Sequence, residues 1–242
     1  MPDYDDQKPF IDAEFEDLVT NTALIRVPDP TLFDNVEQRC PCVLLLDTSS
    51  SMNWNSGIQE LNAAIRTFKE DLMADDNSRK RVEVAIVAFG ENVKVINDFQ
   101  TADHFHPPIF AANGATPMGE AIEKAIEILT IRKAQVRSQG IHLYRPWIIL
   151  ITDGEPTDNW KKAAELVHIG ERAKHFVFFS FGVTGYNEQV LAEISVREPI
   201  RVANSVQFKN LFRWLSDSLS SVSRSQPGDR IKLKNPADFI ID

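Results

Sequence analysis

The chain has 242 residues, 43% of them hydrophobic and 25% charged, a composition that supports one substantial core. Its formal charge of −9 is carried almost wholly by residues 1–37, where ten acids face two bases, so the rest is nearly neutral and offers no basic face for nucleic acid. No run of about 18 apolar residues marks a membrane span, and the acidic start lacks the basic-then-apolar pattern of a secretory signal; a cytoplasmic protein without membrane or nucleic-acid partners is expected.

Residues 1–37 form an acidic arm that contains Pro2, Pro9, Pro28 and Pro30 but also Phe10, Ile11, Phe15, Leu18 and Leu24. Such apolar content predicts a partly packed arm rather than a free tail. Cys40 and Cys42, the two cysteines, point to one face of an apparent strand, and the short link disfavours a disulfide. Strands are predicted at 42–46, 82–89, 93–99, 147–152, 176–183 and 200–203. Helices lie between them. Ile58, Leu61, Ile65, Phe68 and Leu72 follow 3- and 4-residue spacing, as do Met118, Ile122, Ala125 and Leu129. Further helices are predicted at 160–174, 188–195 and 208–223. The main domain is read as 38–224. A C-terminal extension, 225–242, carries an IKLK alternation that predicts a short edge strand.

This alternation indicates an α/β fold: a doubly wound, Rossmann-like, mostly parallel six-stranded sheet flanked by helices. VLLLD, VAIVAFG and IILITDG are apolar on both faces and end abruptly in polar residues or glycine. Such strands are central in parallel sheets, and ligands gather beyond their C-terminal ends. The chemistry is therefore sought after Leu46, Phe89 and Thr152.

Three elements stand there. Asp47-Thr48-Ser49-Ser50-Ser51 offers one carboxylate and two hydroxyls at alternate positions, hard oxygens suited to a hard cation. Gly114-Ala115-Thr116-Pro117 precedes a helix, and Thr152-Asp153-Gly154 closes a strand. Singly, each has a structural reading: serine-rich turn, Thr116 as helix N-cap with proline at the first position, Asp-Gly turn. Their joint placement at strand exits and a helix entry points to one site. No phosphate-binding G-x-x-x-x-G-K-[ST], dinucleotide G-x-G-x-x-G or G-x-S-x-G elbow is present.

D-x-S-x-S, the threonine of G-A-T-P and T-D-G after a hydrophobic strand resemble the metal-ion-dependent adhesion site (MIDAS) of von Willebrand factor A (VWA) domains. LLLDTSSSM, NGATPMGEAI, ILITDGEPTD and SVSRSQPGDRIKL are most similar to the TerY-type bacterial proteins of tellurium-resistance operons. The resemblance spans residues 40–233. It implies metal ligation by Ser49 and Ser51 directly, by Thr116 directly or through water, and by Asp47 and Asp153 mainly through water. Neutral hydroxyls around the ion leave it short of negative charge, so it retains affinity for an external carboxylate; an octahedral oxygen shell prefers Mg2+, and Mn2+ fits the same donors.

The expected function is an adaptor without catalytic activity that binds an Asp or Glu of a partner protein. TerY-type proteins imply a PP2C-class phosphatase and a serine/threonine kinase as partners in a stress or phage-defence response. In related adhesion domains, movement of the threonine loop and the last helix switches affinity. The alternative is a Mg2+-dependent hydrolase or phosphotransferase using Asp47 and Asp153; against it, no nucleophile with its base is identifiable. Ser50 departs from the family's usual glycine, and Trp54-Asn55-Ser56 alters the following turn.

Other residues have weaker readings. His104 and His106 read as loop or packing residues, and His142, His168 and His175 as surface or strand-end residues. Trp54 and Trp160 are candidates for a contact rim, Glu155 and Asp158 for solvated acids at the metal face. Acids of the arm could also reach the metal and close the site.

Overall fold

A computed structural model describes residues 31–226 and 228–240. The acidic arm up to residue 30, and with it the expectation that its acids reach the metal, lies outside the described residues. The described chain opens with a short helix α1 (Thr31–Asp34), whose Leu32 is buried against Val136 and Ile141.

Six strands follow: β1 (Cys40–Asp47), β2 (Val82–Phe89), β3 (Val93–Thr101), β4 (Trp147–Thr152), β5 (Val177–Val183) and β6 (Ile200–Val202). They form one sheet in the order β3-β2-β1-β4-β5-β6, parallel except for β3, which pairs antiparallel to β2 at the edge. Every residue of β1, β2 and β4 is buried, because these strands lie under helices on both faces.

Alternate residues feed two cores. On one face Cys40, Cys42, Leu44 and Leu46 pack with α2 (Gly57–Met73), through Ile58, Leu61, Ile65 and Phe68, and with α7 (Ser205–Ser223), through Phe208, Phe212 and Trp214. On the other, Val43 and Leu45 meet α4 (Met118–Ser138), α5 (Lys161–Arg172) and α6 (Glu188–Ile194). Cys40 and Cys42 are free, buried thiols on the first face, and burial pushes Cys40 up to about 12.

Three features differ from the sequence reading. A helix α3 (Asp76–Arg81) precedes β2; its six residues lack an apolar period and are started by Asp75, whose carboxylate accepts from the Ser78 N–H at 2.8 Å. Helix α4 continues past Leu129 to Ser138 because Arg132 and Lys133, which interrupt the apolar pattern, are buried in polar contacts. The IKLK segment is not a strand. Ile231 and Leu233 pack on the first core, and the Trp214 indole N–H donates to the Lys234 carbonyl at 2.9 Å, before a short α8 (Pro236–Ile240).

At the N-terminal end of the sheet, the buried Glu83 carboxylate lies between two guanidinium groups, 2.9 Å from Arg39 and 2.6 Å from Arg132. Among the described residues no helix is long and apolar enough to cross a membrane.

Candidate metal centre

Strand order reverses at β1: α2 leads outward to β2, while β4 lies on the other side. The crevice where ligands bind in such sheets is therefore between the C-terminal ends of β1 and β4. Leu46 pairs with Ile151 there, so Asp47 and Thr152 leave the sheet side by side.

Asp47 is wholly buried. Its Oδ1 accepts from the Ser49 N–H at 2.8 Å and its Oδ2 from the Thr152 hydroxyl at 2.5 Å. Burial pushes its carboxyl up to about 6, with the negative charge of Asp153 adding to the rise and the bonds from Ser49 and Thr152 opposing it. Burial also raises Asp153.

The Ser49 and Ser51 hydroxyls are 2.8 Å apart, and the Ser51 hydroxyl donates to Asp153 Oδ1 at 2.7 Å. Thr116 lies near Asp47 across Gly154. A Cβ built on Gly154 would lie 2.8 Å from Thr116 Oγ1 and 3.4 Å from Asp47 Oδ2, so both oxygens border one small space that only glycine leaves open. All five side chains singled out in the sequence thus come together.

The donor set fits a hard divalent cation. Neighbouring oxygens of an octahedron with bonds of about 2.1 Å are about 3.0 Å apart, close to the spacing from Ser49 to Ser51 and on to Asp153. Among the described residues no three His, Cys, Asp or Glu side chains form a metal-holding group; here two carboxylates, Asp47 and Asp153, stand with hydroxyls, all hard oxygen donors.

The loops that carry these groups are braced by main-chain bonds. Thr48 N–H donates to the Phe89 carbonyl at 2.7 Å, Asn113 N–H to the Thr48 carbonyl at 2.8 Å and Ser50 N–H to the Gly114 carbonyl at 3.1 Å. Gly114 has φ +85°, and a Cβ there would strike the Glu91 backbone at 2.2 Å, so this approach needs glycine. Ser50, where the family usually has glycine, acts through its N–H with an exposed side chain.

Thr116 does not cap the following helix, contrary to its simplest structural reading; Asp158 does. The carboxylate of Asp158 accepts from Gly119 N–H at 3.0 Å and Glu120 N–H at 2.8 Å. Thr157 exchanges two bonds with Thr116: the Thr116 N–H donates to the Thr157 hydroxyl oxygen at 3.2 Å, and the Thr157 N–H donates to the Thr116 carbonyl at 2.9 Å. Sequence reading gave no role to Thr152 or Thr157 and took Asp158 for a solvated acid; the signal available was their position inside ILITDGEPTD.

At the rim, Trp54 is 78% exposed, whereas Trp160 is half-buried against the second core. His104 and His106 are exposed on a loop around buried Phe105. His175, read as a surface or strand-end residue, stands just before β5, is buried and lies 3.2 Å from the Lys133 amine.

A family model of the von Willebrand factor type A domain matches residues 42–214. The chain belongs to that family. Solved structures with the same VWA fold include the vWF domain of the type V pili tip protein Mfa5 from Porphyromonas gingivalis (TM-score 0.58, 10% identity, 81% of this chain and 99% of that one). Another is BatB from Bacteroides thetaiotaomicron (TM-score 0.52, 19% identity, 77% and 100%). A third is proximal thread matrix protein 1 from the mussel byssus, with a zinc-occupied MIDAS motif (TM-score 0.50, 17% identity, 76% and 48%). This VWA chain spans about half the length of the mussel protein or less than half. No curated protein sequence matches it.

Proposed function

We propose that this VWA domain binds a partner protein through a magnesium ion held by Asp47, Ser49, Ser51, Thr116 and Asp153, and has no catalytic activity of its own. The observation that carries the reading is the row of oxygens from Ser49 through Ser51 to Asp153, with Thr116 and Asp47 both bordering Gly154 beside it. When bound, the cation supplies a positive centre underneutralised by hydroxyl donors, and so attracts an Asp or Glu carboxylate from outside.

The chain's own groups divide the remaining work. Ser49 and Ser51 present neutral oxygens. Asp47, with both carboxylate oxygens engaged by protein donors, fixes the Ser49 backbone instead of acting as nucleophile or base. Thr157 and Asp158 hold the Thr116 loop in register. Exposed Trp54 and Ile109 give the partner apolar contacts beside the charge; their loops are linked by Asn53, whose amide donates to the Ala112 carbonyl at 3.3 Å.

From the TerY-type resemblance, we further propose a cytoplasmic place in a bacterial tellurium-resistance or phage-defence system, with a PP2C-class phosphatase and a serine/threonine kinase as partners. The test is affinity capture from the source organism with MgCl2 or with chelator. A partner retained with Mg2+ and lost both with chelator and in Ser49→Ala/Ser51→Ala is expected. Equal recovery in all conditions overturns the reading, and phosphoester turnover that disappears in Asp47→Ala would replace it with the enzyme alternative.

A further inference from the structure

A groove of about 780 Å³ runs along the outer side of α7, between the end of α2 with α3 and the C-terminal segment. Its apolar lining is Leu233 and Phe239, both half-buried, over the core-facing Trp214, while Ser216, Ser218, Ser220 and Ser221 line the α7 side. Its rim carries Lys209, Arg213, Arg224, Lys232 and Lys234 against Asp71, Asp75 and Asp217. Two of those acids are already engaged. Asp75 pairs with Arg224 at 2.5 Å and accepts from Ser78, while Asp71 accepts from the Ser216 hydroxyl at 3.0 Å. Lys209, Arg213 and Lys232 make no ion pair among the described residues, and Lys234 lies over the Phe239 ring at 4.9 Å. With the Arg224–Asp75 pair set aside, Lys209, Arg213, Lys232 and Lys234 face Asp71 and Asp217, so the groove is net positive on a protein of net charge −9.

The same chain carries the complementary sequence. Residues 1–30 hold eight acids and two bases, and Asp12-Ala13-Glu14-Phe15-Glu16-Asp17-Leu18-Val19 sets four carboxylates among apolar side chains with no base. Length agrees with this. From Lys209 to Arg224, α7 rises about 22 Å, and eight residues reach about 26 Å at most.

The arm joins the described chain at α1, whose Leu32 packs on Val136 and Ile141 by the end of α4, and the chain then crosses to the groove's end. Residues 35–38 approach the C-terminal ends of α3 and α7: Asn35 donates to the Lys80 carbonyl at 2.8 Å, Glu37 pairs with Arg81 at 2.9 Å, and Gln38 reaches Gln226 at 3.2 Å. Arg224, on the groove rim, is two residues from Gln226. Residues 20–30 span up to about 36 Å, ample to set residue 19 in the groove. The metal centre is at the opposite end of β1, about 26 Å of strand away.

We propose that residues 12–19 dock in this groove of their own chain, Phe15 and Leu18 against Leu233 and Phe239 and the four carboxylates on the lysines and Arg213 of the rim. The arm then straps α7 between the end of α2 and the C-terminal segment.

Zero-length carbodiimide cross-linking of the full chain, mapped by mass spectrometry on a mixture of 15N-labelled and unlabelled protein, tests this. Expected are links from residues 12–17 to Lys209, Lys232 or Lys234 within single chains. Arg213→Glu, an exposed change that removes no cross-linkable amine, should lower their yield about fivefold, the loss of roughly one exposed ion pair plus repulsion. Phe15→Ser, which alters the arm alone, should lower it as well. Links confined to lysines elsewhere, links only between labelled and unlabelled copies, or a yield indifferent to both variants would each overturn the proposal.

Discussion

Asp47→Asn should make the metal-free protein more stable while abolishing its response to magnesium. At neutral pH the wild-type carboxylate is ionised and wholly buried, with its carboxyl pushed up to about 6 from an ordinary value near 4. A folded-state value above the unfolded one means that ionisation opposes folding. The penalty is about 3 kcal/mol, fully present above pH 6, and it fades as pH falls from 6 towards 4. Asparagine keeps the shape and removes the charge. It gives up one acceptor for the Ser49 N–H or the Thr152 hydroxyl, at about 1 kcal/mol, so the net gain is about 2 kcal/mol, or roughly 4–8 °C in Tm for a chain of this size. Denaturant unfolding in chelator at pH 7.5 and pH 4.5, repeated at pH 7.5 with 5 mM MgCl2 (roughly physiological excess over a site of ordinary affinity), checks all parts. The variant should lead at pH 7.5, lose its lead at pH 4.5, and gain nothing from Mg2+, whereas wild type gains. A variant less stable than wild type in chelator at pH 7.5 would refute the assignment of Asp47 as a charge held at a cost for the metal.

Gly154→Ala places a methyl 2.8 Å from Thr116 Oγ1; titration calorimetry should show Mg2+ affinity reduced about tenfold, or 1.4 kcal/mol, with melting little changed, and unaltered affinity would remove Gly154 from the centre. Asp158→Ala strips two N–H groups of α4 of their acceptor, so stability should fall by about 1 kcal/mol and Mg2+ binding should weaken as the Thr116 loop loosens; a drop in stability alone would confine Asp158 to capping. Glu83→Gln leaves Arg39 and Arg132 buried without their carboxylate and should cost about 3–5 kcal/mol in chemical denaturation, with a loss below about 1 kcal/mol showing that the cluster is not an obligate ion pair.

The central strands were legible because burial on both faces leaves them almost no polar residues, and the amphipathic helices because each turns one stripe to a core. What escaped reading depends on partners distant in sequence. The end of α4 was hidden by Arg132 and Lys133, whose burial is sustained by Glu83 and His175 on other elements. The alternation of IKLK suggested pairing, yet its side chains serve the core and Trp214 takes the Lys234 carbonyl. The cluster of candidate ligands was legible from residue type and position alone, since Asp47, Ser49 and Ser51 share one strand exit and Asp153 ends the neighbouring strand. Its supports were not: Thr152 meets Asp47 across 105 positions, and Asp158 meets Gly119 across 39, with nothing local to announce either bond.

The bracing among Thr48, Phe89, Asn113, Ser50 and Gly114 is made by peptide groups. The Thr48 hydroxyl adds a bond to the Phe89 carbonyl at 3.1 Å, whereas side chains at positions 50 and 113 contribute little to holding those loops together, and evolution can redraw the surface they present to a new partner without rebuilding the cluster beneath. Proline is the exception. At any of these three positions it would erase a donor, and with it one of the struts that keep recognition and coordination separable.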